Sequence, residues 1–190
     1  MLDPERAEIV RLWTRKLKQD AAGLPQQQRH RNLEPPSAEF LFALASGIGA
    51  RQMVEIGGSS GISTITLAAA ARTTGGRLIS FEIEPARQHE AQATIASLGL
   101  ADRVDFRLED AGAALASLPP LDFAFIDCEK EDYIRFFDLL PMKAGAFVAA
   151  DNVISHQLTD YVRHVRSRPG VESITVPIGK GLELSRVGGG

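Results

Sequence analysis

The chain has 190 residues, 44% of them hydrophobic and 24% charged, with a formal net charge of −3. This size and composition are ordinary for a globular protein, and we predict one domain over residues 1–190. A slightly negative chain without a basic stripe argues against nucleic-acid binding, and no apolar run reaches the ~20 residues that a membrane span needs.

Residues 1–48 predict two helices that lie outside the main sheet. In the first, residues 4–18, apolar side chains recur at helical spacing: Ile9, Leu12, Trp13 and Leu17. Residues 19–36 are polar and rich in glycine and proline, which predicts a loop. We interpret its basic cluster, residues 29–31, as solvated. The second helix is predicted over residues 37–48.

From residue 51, short apolar runs alternate with helical segments. Predicted strands cover residues 52–57, 77–83, 103–109, 121–127, 144–151, 171–178 and 182–187. Predicted helices cover residues 62–72, 84–99, 111–118, 131–140 and 157–168. Such alternation is typical of βαβ units and a parallel sheet.

The last two predicted strands are separated only by "GKG". A link this short permits only an antiparallel hairpin. We therefore predict an α/β, Rossmann-like fold. Its core, residues 51–187, is a seven-stranded, mostly parallel sheet with one antiparallel strand and helices on both faces, and residues 1–48 form an N-terminal helical addition.

Acidic residues lie at or directly after the end of each of the first five predicted strands. They are Glu55; Glu82 and Glu84; Glu109 and Asp110; Asp127 and Glu129; and Asp151, with Asn152 beside it. In open α/β sheets, ligands bind beyond the carboxyl ends of the strands. We therefore expect the functional site along this edge.

The turn "EIGGSSG" after the first strand indicates a ligand that lacks a pyrophosphate. Its glycines at 57 and 61 do not have the dinucleotide spacing G-x-G-x-x-G. Ser59, Ser60 and Ser63 offer hydroxyl groups at a helix start, which suits a carboxylate. A tight strand–helix turn that binds nothing is the alternative.

Two further strand ends complete this pattern. Glu82 lies 25 positions after Gly57, where a carboxylate can accept hydrogen bonds from ribose hydroxyls. Residues 109–111, "EDA", lie where an adenine edge would be. An adenosine that carries an amino-acid tail fits all three strand ends, and S-adenosylmethionine matches that description.

Asp127, Asp151 and Asn152 form a second group, on two adjacent strand ends. Three oxygen ligands suit a hard cation, with Mg²⁺ expected first and Ca²⁺ or Mn²⁺ as alternatives. Zinc is disfavoured because Cys128 should point into the sheet and His156 stands alone. An ordinary strand-to-turn cap at "ADN" is the competing interpretation.

Five segments resemble, in order, the motifs of the cation-dependent O-methyltransferases of the catechol and caffeoyl-coenzyme A type, which includes many small bacterial members. They are "VEIGGSSGISTITLA", "FEIEPARQHEAQATIASLGLADRVDFRLEDA", "DFAFIDCEKEDY", "VAADNVISH" and "PIGKGLELSR". The resemblance covers roughly residues 35–187, and its most specific parts are the lysine motif after the fourth strand and "DN" after the fifth.

The resemblance implies an S-adenosylmethionine-dependent O-methyltransferase, usually a homodimer, that acts on a small hydroxylated aromatic acceptor with neighbouring hydroxyls. Its implied metal ligands are Asp127, Asp151 and Asn152. Its implied cofactor residues are Glu55, Gly57, Ser63, Glu82, Asp110 and Ala111, to which we add Ser59 and Asp127. Lys130 matches a lysine proposed to assist deprotonation, and Tyr133 matches a motif tyrosine without an assigned role.

The chain departs from the family pattern in two places. Glu129 stands where an aspartate is usual, and the segment 157–170 is shorter than in many relatives. This segment usually helps to form the wall of the acceptor pocket, so the natural acceptor is left open.

Cysteine usage and the N-terminus indicate a cytoplasmic protein. Cys128 is the only cysteine, so no internal disulfide can form, which suits a reducing compartment. The stretch "MLDPERAEIVRLW" carries charges where a signal peptide needs an apolar core.

Four other functions compete with this interpretation. The glycine spacing argues against a nicotinamide oxidoreductase. The sequence "DCEK" in place of an Asn/Asp-Pro-Pro-aromatic motif argues against a methyltransferase acting on RNA or protein. A metal-independent methyltransferase for another small molecule and a catalytically silent cofactor-binding protein also stay open.

Overall fold

The structure is a computed structural model that describes residues 1–25 and 29–188. Its α-helices are α1 Asp3–Ala21, α2 Pro35–Gly47, α3 Ile62–Thr74, α4 Pro85–Ser97, α5 Ala111–Leu115, α6 Tyr133–Leu139 and α7 Thr159–Ser167. Its strands are β1 Gln52–Ile56, β2 Arg77–Glu82, β3 Val104–Leu108, β4 Leu121–Ile126, β5 Met142–Ala150, β6 Val171–Val176 and β7 Leu182–Val187.

The seven strands form one sheet in the order β3-β2-β1-β4-β5-β7-β6. Strands β1 to β5 pair in parallel, whereas β7 is antiparallel to both β5 and β6. The predicted fold class is confirmed, and the antiparallel strand lies one position in from the edge. Because β1 and β4 are central neighbours, their carboxyl ends meet in the middle of one sheet edge.

Alternation along the strands separates two apolar cores. Met53 faces the core covered by α1 to α4, and its neighbour Val54 faces the core covered by α5 to α7. This follows from the two-residue period of strand side chains. Ile9 and Leu12 of α1 are buried in the first core, so the N-terminal helix packs on its own chain.

Some predicted boundaries differ from the structure. Helix α1 extends to Ala21 and α2 begins at Pro35, because proline is well tolerated in the first turn of a helix. The predicted loop 19–36 is therefore shorter, and its residues 26–28 lie outside the described residues. The segment Lys130–Asp132 is a 3₁₀ turn that precedes α6. None of the described helices has both the length and the apolarity of a membrane span.

Candidate active site

The turn after β1 brings two strand ends into close contact. Gly57 has a φ of 95°, and a Cβ at this position would overlap the carbonyl oxygen of Asp127. Glycine adopts such a φ without steric cost. The amides of Gly57 and Gly58 both donate to the carbonyl of Phe81, at 2.9 and 3.1 Å. The turn therefore joins the ends of β1, β2 and β4.

Glu82 at the end of β2 is held by backbone donors. Its carboxylate accepts hydrogen bonds from the amides of Ser59 at 2.8 Å, Ile83 at 2.8 Å and Glu84 at 3.0 Å. A carboxylate has about four acceptor positions. Glu82 thus orients the Ser59 backbone and keeps about one position for a ligand.

A first cleft of roughly 660 Å³ opens along these strand ends. It brings together six of the predicted cofactor residues: Gly57, Ser59, Glu82, Asp110, Ala111 and Asp127. Its apolar wall includes Phe81, Ile83 and Phe136, and the side chain of Ile83 is 60% exposed. The cleft offers a carboxylate beside an apolar surface, the combination that a nucleoside requires.

Glu55 and Ser63 are not among the residues that line this cleft. Glu55 is fully buried and accepts hydrogen bonds from Thr64 Oγ1 at 2.5 Å and Ser80 Oγ at 2.6 Å. Burial raises the pKa of Glu55, and hydrogen bonds from Ser80, Thr64 and Ser63 partly oppose this. Glu55 shares the strand face of Met53, beneath α3. The cofactor contacts of Glu55 and Ser63 stay predictions.

Asp110 and Ala111 lie where β3 passes into α5. Asp110 is the N-cap of α5, and its Oδ1 accepts from the amide of Gly112 at 2.8 Å and from Arg135 Nη2 at 2.7 Å. Ala111, the first residue of the helix, is buried. The cap fixes the backbone that forms this side of the first cleft.

Asp127, Asp151 and Asn152 meet at the ends of β4 and β5. Asn152 Nδ2 donates to Asp127 Oδ1 at 2.7 Å, and Asn152 has a φ of 67°. The carboxyl of Asp151 is buried, and its Oδ1 has no hydrogen-bond partner among the residues that the structure describes. Burial, followed by the negative charge of Asp127, raises the pKa of Asp151 to about 7.

This arrangement fits a hard cation. An orphaned buried carboxylate oxygen is costly, and two neighbouring carboxylates repel unless a proton or a cation lies between them. In the described part of the chain, no three histidine, cysteine or acidic side chains cluster as a metal site. A cation here would therefore also use Asn152, whose oxygen can replace its nitrogen if the amide turns over.

Lys130 is held at the same place by three hydrogen bonds. Its Nζ donates to Asp127 Oδ1 at 3.1 Å, the carbonyl of Cys128 at 3.0 Å and the hydroxyl of Tyr133 at 2.7 Å. Tyr133 is fully buried and donates in turn to the carbonyl of Asp151 at 3.2 Å. Burial raises the pKa of Tyr133 well above its ordinary value, so it stays a neutral phenol.

A model of the O-methyltransferase family matches residues 13–187. The chain belongs to this family. It is 35% identical to the catechol O-methyltransferase of Mycobacterium tuberculosis over 142 residues. The match covers 71% of this chain and 61% of that protein. It spans 58% to 61% of the length of the first two curated relatives that it matches.

Two solved O-methyltransferase structures resemble this chain over most of its length. The O-methyltransferase TomG from Streptomyces achromogenes, in complex with SAM, is 25% identical with a TM-score of 0.77, over 94% of this chain and 89% of that one. The O-methyltransferase from Bacillus cereus, in complex with SAH, is 25% identical with a TM-score of 0.77, over 98% and 92% of the two chains.

In this chain, a second cleft adjoins the first. It has a volume of roughly 630 Å³, part of which is open to solvent. It shares three lining residues with the first cleft, namely Arg31, Asp127 and Lys130. Asn152 and His156 also line it. Burial, followed by the positive charges of Lys130 and Lys180, lowers the pKa of His156, so its imidazole is neutral near pH 7.

Residues 29–31 form a loop, as predicted, but this basic cluster is not simply solvated. His30 and Arg31 are only partly exposed and line the second cleft with Arg29. Arg31 also forms an ion pair with Glu129, the residue that departs from the family pattern. A basic cluster within a polar stretch could have pointed to a ligand, but the chain path that brings it to the sheet edge depends on tertiary structure.

Proposed function

We propose that this chain is an S-adenosylmethionine-dependent O-methyltransferase. Its acceptor would be a small phenol with two neighbouring hydroxyls, and a divalent cation, most simply Mg²⁺, would assist the transfer. One observation carries the proposal: two clefts meet at Asp127 and Lys130, which line both. A methyl donor and an oxygen acceptor need such a junction, because transfer requires direct contact of the two reacting atoms.

The first cleft is the proposed cofactor site. Its carboxylate, Glu82, would bind the ribose, its apolar wall would take the adenine, and Gly57, Ser59 and Asp127 would lie along the amino-acid tail. The two solved relatives, which are complexes with SAM and SAH, support this assignment. Asp110 and Ala111 would flank the base.

The second cleft is the proposed acceptor site. When bound, S-adenosylmethionine supplies the methyl group, and a divalent cation makes a hydroxyl easier to deprotonate. Asp127, Asp151 and Asn152 would hold the cation, and Lys130 would receive the hydroxyl proton. As an ammonium, Lys130 has all three N–H groups engaged. It can act as a base only after losing a proton, and the acceptor would then replace one of its three partners.

The test is methyl transfer from isotopically labelled S-adenosylmethionine to catechol, followed by mass spectrometry of the product. The proposal expects labelled O-methyl catechol together with SAH. Binding of SAH by calorimetry, with no transfer to any of a panel of diphenols, would instead support a catalytically silent binding protein.

We also propose a homodimer in the cytoplasm. Val10 and Leu17 of α1 are 56% and 47% exposed, which leaves apolar surface for a second copy, although Ile9 and Leu12 pack within the chain. The single cysteine is compatible with a reducing compartment. Sedimentation at micromolar concentration should give twice the chain mass, and a monomer would contradict the dimer.

A further inference from the structure

The second cleft is lined mainly by basic side chains. Two carboxylates, Asp20 and Asp127, face five cationic groups. The cationic groups are Lys16, Arg29, Arg31, Lys130 and Lys180. A cleft in which one sign of charge predominates concentrates ligands of the opposite sign. The net charge of the whole chain is −3, so this excess of positive charge is local.

Most of these cations have a partner, whereas Lys180 has none among the described residues. Lys16 and Arg29 share Asp20, with N···O distances of 2.6 and 3.3 Å, and Lys130 contacts Asp127. Within residues 1–25 and 29–188, the Lys180 side chain makes no hydrogen bond or ion pair. The Lys180 side chain extends from the turn between β6 and β7. The backbone of Lys180 is fixed, because its carbonyl accepts hydrogen bonds from the amides of Ile154 and Ser155.

A separate observation points to a ligand in the same cleft. Asn32 is 4% exposed and lines the cleft, and its Oδ1 accepts from Ser60 Oγ at 2.9 Å. Its Nδ2 has no partner in the described part of the chain. Arg29 Nε and His30 Nδ1 in the same segment are also buried and have no partner within residues 1–25 and 29–188. Buried polar atoms normally have hydrogen-bond partners, so these atoms are available to form hydrogen bonds with a ligand in the cleft.

We propose that the second cleft selects diphenols that carry a carboxylate, with Lys180 as a specificity-determining residue that attracts this group. The inference rests on the proposed function and narrows its acceptor class. The unpaired ammonium of Lys180 and the unpartnered Asn32 amide are donors that an anionic substituent can satisfy. A neutral acceptor would leave Lys180 unpaired, and a cationic one would meet repulsion.

The test compares three acceptors that share the diphenol ring: 3,4-dihydroxybenzoate, its neutral methyl ester and cationic 3,4-dihydroxybenzylamine. For each, kcat/KM is measured with the parent chain, Lys180→Gln, Lys180→Glu and Arg163→Gln. Arg163 is the charge-matched control because it is exposed and lines a different cleft. Ratios between variants remove the intrinsic reactivity of each acceptor.

Lys180→Gln should lower the benzoate-to-ester ratio of kcat/KM by about five- to tenfold, as expected for one partly exposed charged contact. Lys180→Glu should lower it further and favour the benzylamine, and Arg163→Gln should leave it unchanged. High salt should shrink the difference. An equal ratio in the parent chain and both Lys180 variants would overturn the inference while the methyl transfer stands. No transfer to any of the three acceptors would refute the proposed function itself.

Discussion

The Nζ of Lys130 donates a 2.7 Å hydrogen bond to the hydroxyl of Tyr133, which donates in turn to the backbone of Asp151. The phenol thereby connects the turn after β4 to the end of β5. Because Tyr133 is fully buried at the start of α6, its ring cannot move without disturbing the second core. We infer that Tyr133 positions Lys130.

Tyr133→Phe should slow methyl transfer by about tenfold, because loss of one hydrogen bond to a charged group is worth ~1.5–3 kcal/mol. The cofactor KM should change little, since Tyr133 does not line the first cleft. The pH profile of kcat should shift if the phenol orients Lys130. An unchanged kcat with an unchanged pH profile would show that the contact is only structural.

Asp151 should make the metal-free protein less stable as pH rises. Its pKa is about 7 in the fold, against an ordinary value of 3.8. Between these values the unfolded chain has released a proton that the folded chain still holds, so stability falls with rising pH and stays low above about pH 7. In chelator, urea unfolding of the parent chain and Asp151→Asn should therefore diverge from pH 4 to 7.

Mg²⁺ should reverse this effect, because it binds the ionised carboxylate and must displace the proton at lower pH. Stabilisation by Mg²⁺ should be larger at pH 8 than at pH 5. Asp160→Asn, an exposed control, should follow the parent chain. Parallel stability profiles of the parent and Asp151→Asn would contradict the assigned pKa.

Gly57→Ala should destabilise the fold far more than Gly49→Ala. Both glycines have positive φ, 95° and 68°, but an added Cβ meets nothing within 4 Å at Gly49 and overlaps the Asp127 backbone at Gly57. We expect ~1–2 kcal/mol at Gly49, the cost of left-handed backbone, and at least ~3 kcal/mol at Gly57. Denaturant unfolding measures both, and equal losses would show that β1 and β4 are not in this close contact.

Glu82→Gln should weaken SAH binding, because the amide replaces one acceptor oxygen with a donor. Gln keeps the side-chain size, but its single carbonyl oxygen can accept hydrogen bonds from only some of the amides of Ser59, Ile83 and Glu84. A loss of about tenfold or more in affinity is expected. Glu84→Gln is the matched control because Glu84 is exposed, and calorimetry that finds equal affinity in both variants would refute the ribose assignment.

The strand ends could be predicted from the sequence because parallel strands carry their carboxyl ends to one edge. Asp127 and Asn152 follow different strands, and the structure joins them by a 2.7 Å hydrogen bond. The direction in which the Glu55 side chain points is harder to predict than the position of the strand ends. Its position two residues from Met53 places both on the face beneath α3, so strand alternation could have separated it from the cleft.

The contribution of the N-terminal segment could not be predicted from local patterns. Arg31 and Glu129 are 98 positions apart, and their pairing depends on how residues 29–34 pass the sheet edge. Tyr133 likewise matched a motif, but its bond to Lys130 depends on the 3₁₀ turn Lys130–Asp132 that precedes α6. The first feature arises from tertiary packing, and the second from a local turn geometry that the alternation of strands and helices does not specify.

Metal dependence of methyl transfer is the most direct test of the proposed chemistry. The measurement is transfer from S-adenosylmethionine to catechol after exhaustive chelation, and then with Mg²⁺ restored, for the parent chain and Asp151→Ala. We predict loss of most transfer on chelation, recovery with Mg²⁺ in the parent chain alone, and nearly unchanged SAH affinity in Asp151→Ala. Full transfer that persists without a divalent cation and does not rise with Mg²⁺ would contradict the cation site and leave a metal-independent methyltransferase.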